Sequence, residues 1–274
     1  MKYGKYLLAA LMIVGCLVGC KKDKVKPEFV TLTVQFDDGN GAKAYMTNYM
    51  QPKWQVGDKI NINGDEKEIT KDNNGKFIVE GVVETNEYKA YFFADEGSFP
   101  TDTGENGTVK FKLNAEQNYE TVGGSGDTIK FGAPMVAKST NSELKLTFKN
   151  TCAVLAIEIE NKRSSSIQIS NIEVTDIIDN HIIAGGEYIV DYNMSNPEMG
   201  SGSNIVTLNC GSNTTISSME TKTFFIYVPP VRDAQFTISV NSGTLFSQTQ
   251  KKTITLSPGH YVKVPITIKE DQTN

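Results

Sequence analysis

The sequence predicts an all-β protein of two tandem antiparallel sandwich domains. Three observations carry this. From Phe29 onwards apolar residues recur at every second position, the spacing of a strand with one buried face. Clusters of Gly, Asn, Asp and Ser interrupt that alternation at short intervals, as turns do. No stretch of about ten residues shows the 3.6-residue periodicity of an amphipathic helix.

The elements follow in order. Val30, Leu32, Val34 and Phe36 alternate with Thr31, Thr33 and Gln35, so Phe29 opens a half-buried strand. It runs into Asp37-Asp38-Gly39-Asn40-Gly41, a turn signal, since Gly, Asn and Asp accept positive φ. Ile60 and Ile62 centre a short strand over Lys59 to Asn63. Asp72-Asn73-Asn74-Gly75 turns the chain into a strand over Phe77 to Val83, and Tyr88 to Ala94 follows with aromatic residues on both faces. Val109, Phe111 and Leu113 mark another strand, and Ala115 to Glu120 reads as a single helical turn. Gly123 to Gly126 is a loop.

Leu144, Leu146 and Phe148 resume the alternation, and Leu155, Ile157 and Ile159 continue it after a bend near Asn150. Ile167 with Ile169 and Ile172 with Val174 come next, then a Gly- and Ser-rich loop over Ser195 to Ser203. Later strands carry Ile205 and Leu208, Phe224 to Val228, Phe236 to Val240, Ile254 and Leu256, and Val262 to Ile268. Pro265 lacks the N–H that a ladder needs, so the last strand belongs at a sheet edge or turns that nitrogen to solvent. The expected divide between domains falls near residue 142, giving sandwiches over residues 29–142 and 143–274.

The N-terminus is organised differently. Lys2 and Lys5 precede an apolar run, Tyr6 to Val18, that is too short and wrongly flanked for a membrane span. Leu17-Val18-Gly19-Cys20 then closes it and resembles the lipobox of bacterial lipoproteins. That resemblance implies a signal peptide over residues 1–19, cleavage before Cys20, and acyl chains such as palmitate on Cys20. Each buried methylene contributes about 0.8 kcal/mol, so two or three chains anchor almost permanently. Residues 20–28 read as a charged, lipidated tether.

Removing residues 1–19 leaves 255 residues and moves the formal charge from −5 to −7. The only basic cluster is Lys21, Lys22, Lys24 and Lys26 beside the anchor, so no nucleic-acid partner is expected. Cys152 and Cys210 would lie in an oxidising compartment, where a disulfide is open to them. A buried free thiol is equally ordinary for the apolar run around Cys152. Two unpaired thiols are the expectation, with pairing left open.

Chemistry is hard to place. His181 and His260 are the only histidines, and neither has metal-ligand spacing or a nucleophile beside it in sequence. Cys152 at strand spacing reads as core rather than as a catalytic partner of His181. The Asp37 and Asp72 clusters lack the D-x-D-x-D spacing of a calcium loop and read as hairpin turns. No enzyme, metal or cofactor is expected.

A set of local patterns is more specific. Trp54-Gln55-Val56-Gly57-Asp58-Lys59-Ile60 is followed by Tyr88-Lys89-Ala90-Tyr91-Phe92 and Phe131-Gly132-Ala133-Pro134-Met135. Leu146 to Leu155 and Leu256-Ser257-Pro258-Gly259-His260-Tyr261 complete it. In this order behind a lipobox, the chain resembles the fimbrillin family of Mfa-like lipoproteins, which includes type V pilus subunits. The resemblance implies transthyretin-like sandwiches, outer-membrane anchoring and a role in fimbriae and adhesion. It also implies strand exchange: a protease removes the first strand, and a neighbouring subunit's strand fills the groove. Val30, Leu32, Val34 and Phe36 would be the native occupants, and Lys24 the available processing site.

Two features depart from a stalk subunit. Arg163 and Arg232 lie far from the first strand, and Pro27 protects Lys26 from trypsin-like cleavage. Only polar residues follow Ile268, which leaves little to donate. The expectation is an anchor or accessory subunit that keeps its lipid and first strand, with the outer membrane, other fimbrial subunits, and host or surface glycans or proteins as partners. The alternative is a surface glycan-binding lipoprotein using Tyr45, Tyr49 and Trp54 as an aromatic platform.

Overall fold

The computed structural model describes residues 27–36, 45–47, 54–73, 76–92, 101–102, 107–120, 128–130, 132–194 and 197–270. Every regular element among them is a strand, as the alternation predicts.

The first sheet has eight strands. In spatial order they are Asp65–Glu68, Lys59–Ile62, Glu87–Phe92, Met135–Thr140, Lys145–Asn150, Phe29–Phe36, Lys76–Val83 and Lys71–Asn73. One face supplies a core of Leu32, Val34, Ile60, Ile62, Val79, Tyr88, Phe92, Met135, Leu146 and Phe148, closed by Trp54. Period-two strands deliver alternate side chains to that face, which is why one sheet can wrap around one core.

The second core is a sandwich. A three-stranded sheet, Thr221–Val228, Ala153–Asn161 and Tyr261–Ile268, faces a five-stranded one. The latter runs Glu116–Asn118, Ile205–Asn209, Asn171–Asp176, Phe236–Asn241 and Leu245–Thr249. Leu155, Ile157, Phe224, Ile226 and Ile266 meet Ile172, Val174, Leu208, Ile238 and Val240 between them.

A third core joins the two. Thr108–Leu113 pairs antiparallel with Gly186–Asp191, and this ribbon covers the other face of the three-stranded sheet. Phe111, Leu113, Tyr188 and Val190 pack there with Val154, Ala156, Phe225 and Tyr227, and with Tyr91 and Val136 of the first sheet. Ala153 to Ile157 is therefore buried on both faces.

Parallel pairing marks where each core begins and ends. Phe29–Phe36 lies parallel to Lys145–Asn150, and Ala153–Asn161 lies parallel to Tyr261–Ile268. In the first core the opening strand is beside the closing one, and in the second the first strand after residue 152 is beside the last. Residue 142 lies in the turn of the hairpin formed by Met135–Thr140 and Lys145–Asn150, both strands of the first sheet. The chain crosses between cores at Thr151-Cys152, where the sequence suggested a bend. Asn150 Oδ1 accepts from the Cys152 N–H at 3.0 Å, and Tyr188 donates its hydroxyl to the Thr151 carbonyl at 2.6 Å.

The helical turn expected over Ala115 to Glu120 is instead the strand Glu116–Asn118, parallel to Ile205–Asn209. Gln117 is buried there, and its amide is held by the backbone of Tyr227. Those bonds reward an extended chain more than a local turn. Pro265 is placed as expected, in a strand at the edge of its sheet. Cys152 and Cys210 are buried free thiols in different cores.

Candidate functional site: the first strand in its groove

The first strand sits between two partners. On one side Thr33, Val34, Gln35 and Phe36 run parallel to Lys145, Leu146, Thr147 and Phe148. On the other, Phe29 to Val34 runs antiparallel to Val83 back to Phe77. The antiparallel register shifts between Val30 and Leu32, where Gly81 takes a φ of 69°. That bulge adds one residue to the partner strand and increases its twist, curling the strand around the core.

Leu32 and Val34 are fully buried, while Val30 and Phe36 pack against the same core from its margins. All four expected groove residues therefore face one interior. Thr33 and Gln35 point the other way, and Gln35 Nε2 donates to Thr147 Oγ1 at 3.2 Å. Where the parallel pairing begins, the Thr33 N–H donates to the Leu144 carbonyl at 3.0 Å, and before the strand starts the Glu84 N–H donates to the Glu28 carbonyl at 2.9 Å. Removing the strand would uncover two rows of backbone groups and an apolar trench, the two features that strand addition uses.

Trp54 is the lid of this trench. Its ring stacks on Phe36 with centroids 4.6 Å apart and planes 6° apart, and meets Phe92 and Phe148 edge-on at 5.0 and 5.1 Å. The indole is only 2% exposed, so it offers no ring to a sugar. Asp58 holds the turn after Trp54 by accepting the Gln55 N–H at 2.7 Å, and burial pushes its carboxyl above the usual range. Nothing can be placed at Tyr45 or Tyr49: Tyr45 enters only as backbone in Tyr45–Thr47, and Tyr49 is outside the described residues. Cys20 and Lys24 also lie outside them.

Phe29 and Val83, paired across the outer end of the strand, remain exposed at 63% and 38%.

The reactive groups are placed for structure. His181 Nδ1 lies 2.9 Å from Asp176 Oδ2, and the same oxygen accepts the His181 N–H at 2.8 Å. Asp176 Oδ1 accepts the Gln235 N–H at 3.1 Å, so this buried carboxylate ties the loop before His181 to a neighbouring strand. Burial raises the Cys152 thiol far above its ordinary range and pushes Cys210 up to about 12. Both are protonated at neutral pH and poor nucleophiles. Among the described residues, no three His, Cys, Asp or Glu side chains gather as a metal site.

Several strands escaped the sequence reading. Asp65–Glu68 carries four charged residues and no apolar signal, yet pairs with Lys59–Ile62. The signal available was Asn63-Gly64, both at positive φ, the two-residue turn that matches strand twist. Gly186–Asp191 and Leu245–Thr249 were also unforeseen.

Long strands paired in parallel and a ribbon whose core joins two others define a class of multi-sheet β-sandwich protein. No family model matches the chain, and no curated protein matches it. Solved structures do. A candidate cell adhesion protein from Bacteroides ovatus ATCC 8483 superposes with a TM-score of 0.53 at 12% identity, over 90% of this chain and 95% of that one. Another from Bacteroides uniformis ATCC 8492 gives 0.51 at 14% identity, over 88% and 94%. At these identities the likeness shows the fold.

Proposed function

We propose that this chain is a non-catalytic surface lipoprotein of the fimbrillin type, serving as an anchor or accessory component of fimbriae in adhesion. The observation that carries the reading is the first strand. It is clasped on both sides, with Leu32 and Val34 fully buried, in the kind of groove that strand exchange would use. The described adhesion proteins that share the fold support it, as does the lipobox-like segment ending at Cys20.

In this reading Cys20 carries the lipid, and the protein sits on the outer membrane facing outwards. Lys24 is the available cleavage point if the strand is ever released. Retention of the strand leaves the groove filled, so the protein joins a fimbrium by its own edges or caps it, rather than repeating along it. The aromatic-platform version of the glycan alternative loses its central ring, because Trp54 is enclosed by Phe36, Phe92 and Phe148.

The test is an unboiled SDS gel of the outer-membrane fraction, with N-terminal mass analysis of the protein it contains. A single lipidated species beginning at Cys20 supports the anchor reading. A regular ladder of resistant bands, or protein beginning after Lys24, overturns it in favour of a polymerising subunit. Cys20→Ser should move the protein out of the membrane fraction, and its retention there would refute lipid anchoring.

A further inference from the structure

The outer backbone groups of an end strand are a ready template for another chain, and folded proteins blunt such edges with charge, proline or cover. Most end strands here are blunted. Asp65–Glu68 carries four charged residues, Lys71–Asn73 begins Lys-Asp, and Glu116–Asn118 is three residues long with Glu116 exposed. The Gln117 amide covers Thr221–Val228, and Tyr261–Ile268 holds Lys263 and Pro265. Leu245–Thr249 differs from all of these. It ends the five-stranded sheet among the described residues, and its sequence, Leu-Phe-Ser-Gln-Thr, has neither charge nor proline.

The ladder fixes which of its groups face outwards. The Ile177 N–H donates to the Gln235 carbonyl at 3.0 Å, and the Gln250 N–H donates to the Phe236 carbonyl at 2.9 Å. Bonded pairs recur at every second residue of an antiparallel ladder. Phe236, Ile238 and Val240 therefore bond to Gln250, Gln248 and Phe246, and Leu245, Ser247 and Thr249 turn their N–H and C=O groups off the sheet. Hydroxyl pairs hold the strand's outer face in order, Thr237 with Thr249 and Ser239 with Ser247, each at 2.9 Å. Leu245, beside them, is 61% exposed.

We infer that this edge pairs with the same edge of a second copy, antiparallel about a two-fold axis at Ser247. The register commits the edge to itself. With Ser247 facing the partner's Ser247, Leu245 faces the partner's Thr249 and Thr249 faces the partner's Leu245. All the outward groups then bond at once, as a self-complementary interface requires. A shift of two residues in either direction loses one of those pairs. No like charges meet, since Lys251 falls opposite the partner's Gly243 and Lys252 opposite the partner's Ser242. Leu245 gains the methyl of the partner's Thr249 as cover. The neighbouring edge, where Gln248 Nε2 donates to the Pro265 carbonyl at 3.2 Å, is blocked by Lys263 and Pro265. One sheet therefore continues across the axis and the other stops. The edge belongs to the five-stranded sheet and the first strand's groove to another, so the pairing and the anchor reading fail separately.

The test is oxidation of the purified full chain carrying Ser247→Cys with copper–phenanthroline, read on a non-reducing gel. A Cys20→Ser background removes the lipid from the comparison. Bonded residues facing each other across the axis have Cα atoms about 5.5 Å apart, within disulfide reach. A covalent dimer should form. Met219→Cys, at an exposed residue outside this edge, should give only the collisional background. Adding Leu245→Lys and Thr249→Lys to Ser247→Cys sets lysines opposite each other and should reduce the dimer to that background, with the Trp54 emission unchanged as the check on folding. Absence of the dimer, an equal yield from Met219→Cys, or a full yield in the lysine variant would overturn the assignment.

Discussion

The Gln117 side chain spans both backbone groups of Tyr227. Its Nε2 donates to the Tyr227 carbonyl at 2.7 Å, and its Oε1 accepts the Tyr227 N–H at 3.2 Å. Thr221–Val228 is an outer strand of its sheet among the described residues, and the amide meets it from beyond that edge. One amide stands in for a strand. Gln117→Leu leaves a buried donor and acceptor unpaired together, each costing about 1–3 kcal/mol. Urea unfolding of the variant should show a loss of roughly 2–6 kcal/mol. An unchanged midpoint would mean water replaces the amide without penalty.

Trp54 is the only tryptophan, and it stacks on Phe36 at the end of the first strand. Its emission therefore reports whether that strand is seated. Phe36→Ala should shift the emission to longer wavelength with the fold retained. Leu32→Ala, at a fully buried position, should cost about 2–5 kcal/mol. If a chain cut after Lys24 keeps the emission of the intact protein, the strand stays in its groove after cleavage.

The thiols give a pH prediction. Burial raises Cys210 from 9.0 to about 12, so the folded state holds its proton where the unfolded chain has lost it. That contribution is complete below the unfolded value and is lost as pH rises through the folded one. Stability should fall across pH 9 to 12, and Cys210→Ala should flatten that slope. At pH 8, mass mapping after iodoacetamide should find Cys152 and Cys210 unmodified in native protein and both alkylated in denaturant. Recovery of a Cys152–Cys210 disulfide peptide would contradict the separate burial of the two.

Gly202 has no room for a side chain. A Cβ there would lie 2.4 Å from the Ala184 carbonyl oxygen and 2.7 Å from Ile182 Cγ2. Ala184 and Ser203 are bridged through their backbones at this point, so the strain cannot relax cheaply. Gly202→Ala should cost about 1–3 kcal/mol by thermal unfolding. Gly200→Ala, whose nearest contact is 3.5 Å, should be close to neutral. Equal costs at both positions would point to backbone entropy instead of contact.

The strands with clean alternation were legible. Phe29–Phe36, Lys145–Asn150 and Phe236–Asn241 lie where the period-two pattern places them, because each has one wet and one dry face. Glu116–Asn118 was not legible, since its reason for being extended is Tyr227, about a hundred residues away. Asp65–Glu68 was hidden for the opposite reason: both of its faces are polar, and a turn rather than a core holds it in place. The apolar face of the first strand was legible because Val30, Leu32, Val34 and Phe36 alternate with polar residues, and all four pack on one core.

By itself the sequence determined the all-β class, the inward face of the first strand, the edge position of Pro265 and the bend at Asn150. These are local consequences of side-chain period, a missing N–H and turn chemistry. Only the tertiary structure decided that opening and closing strands lie parallel, that Thr108–Leu113 covers the second core's sheet, and that Trp54 is sealed against Phe36. Parallel neighbours come from distant parts of the chain, and which surfaces meet depends on how whole sheets bury their second faces. No local pattern of residues encodes that choice.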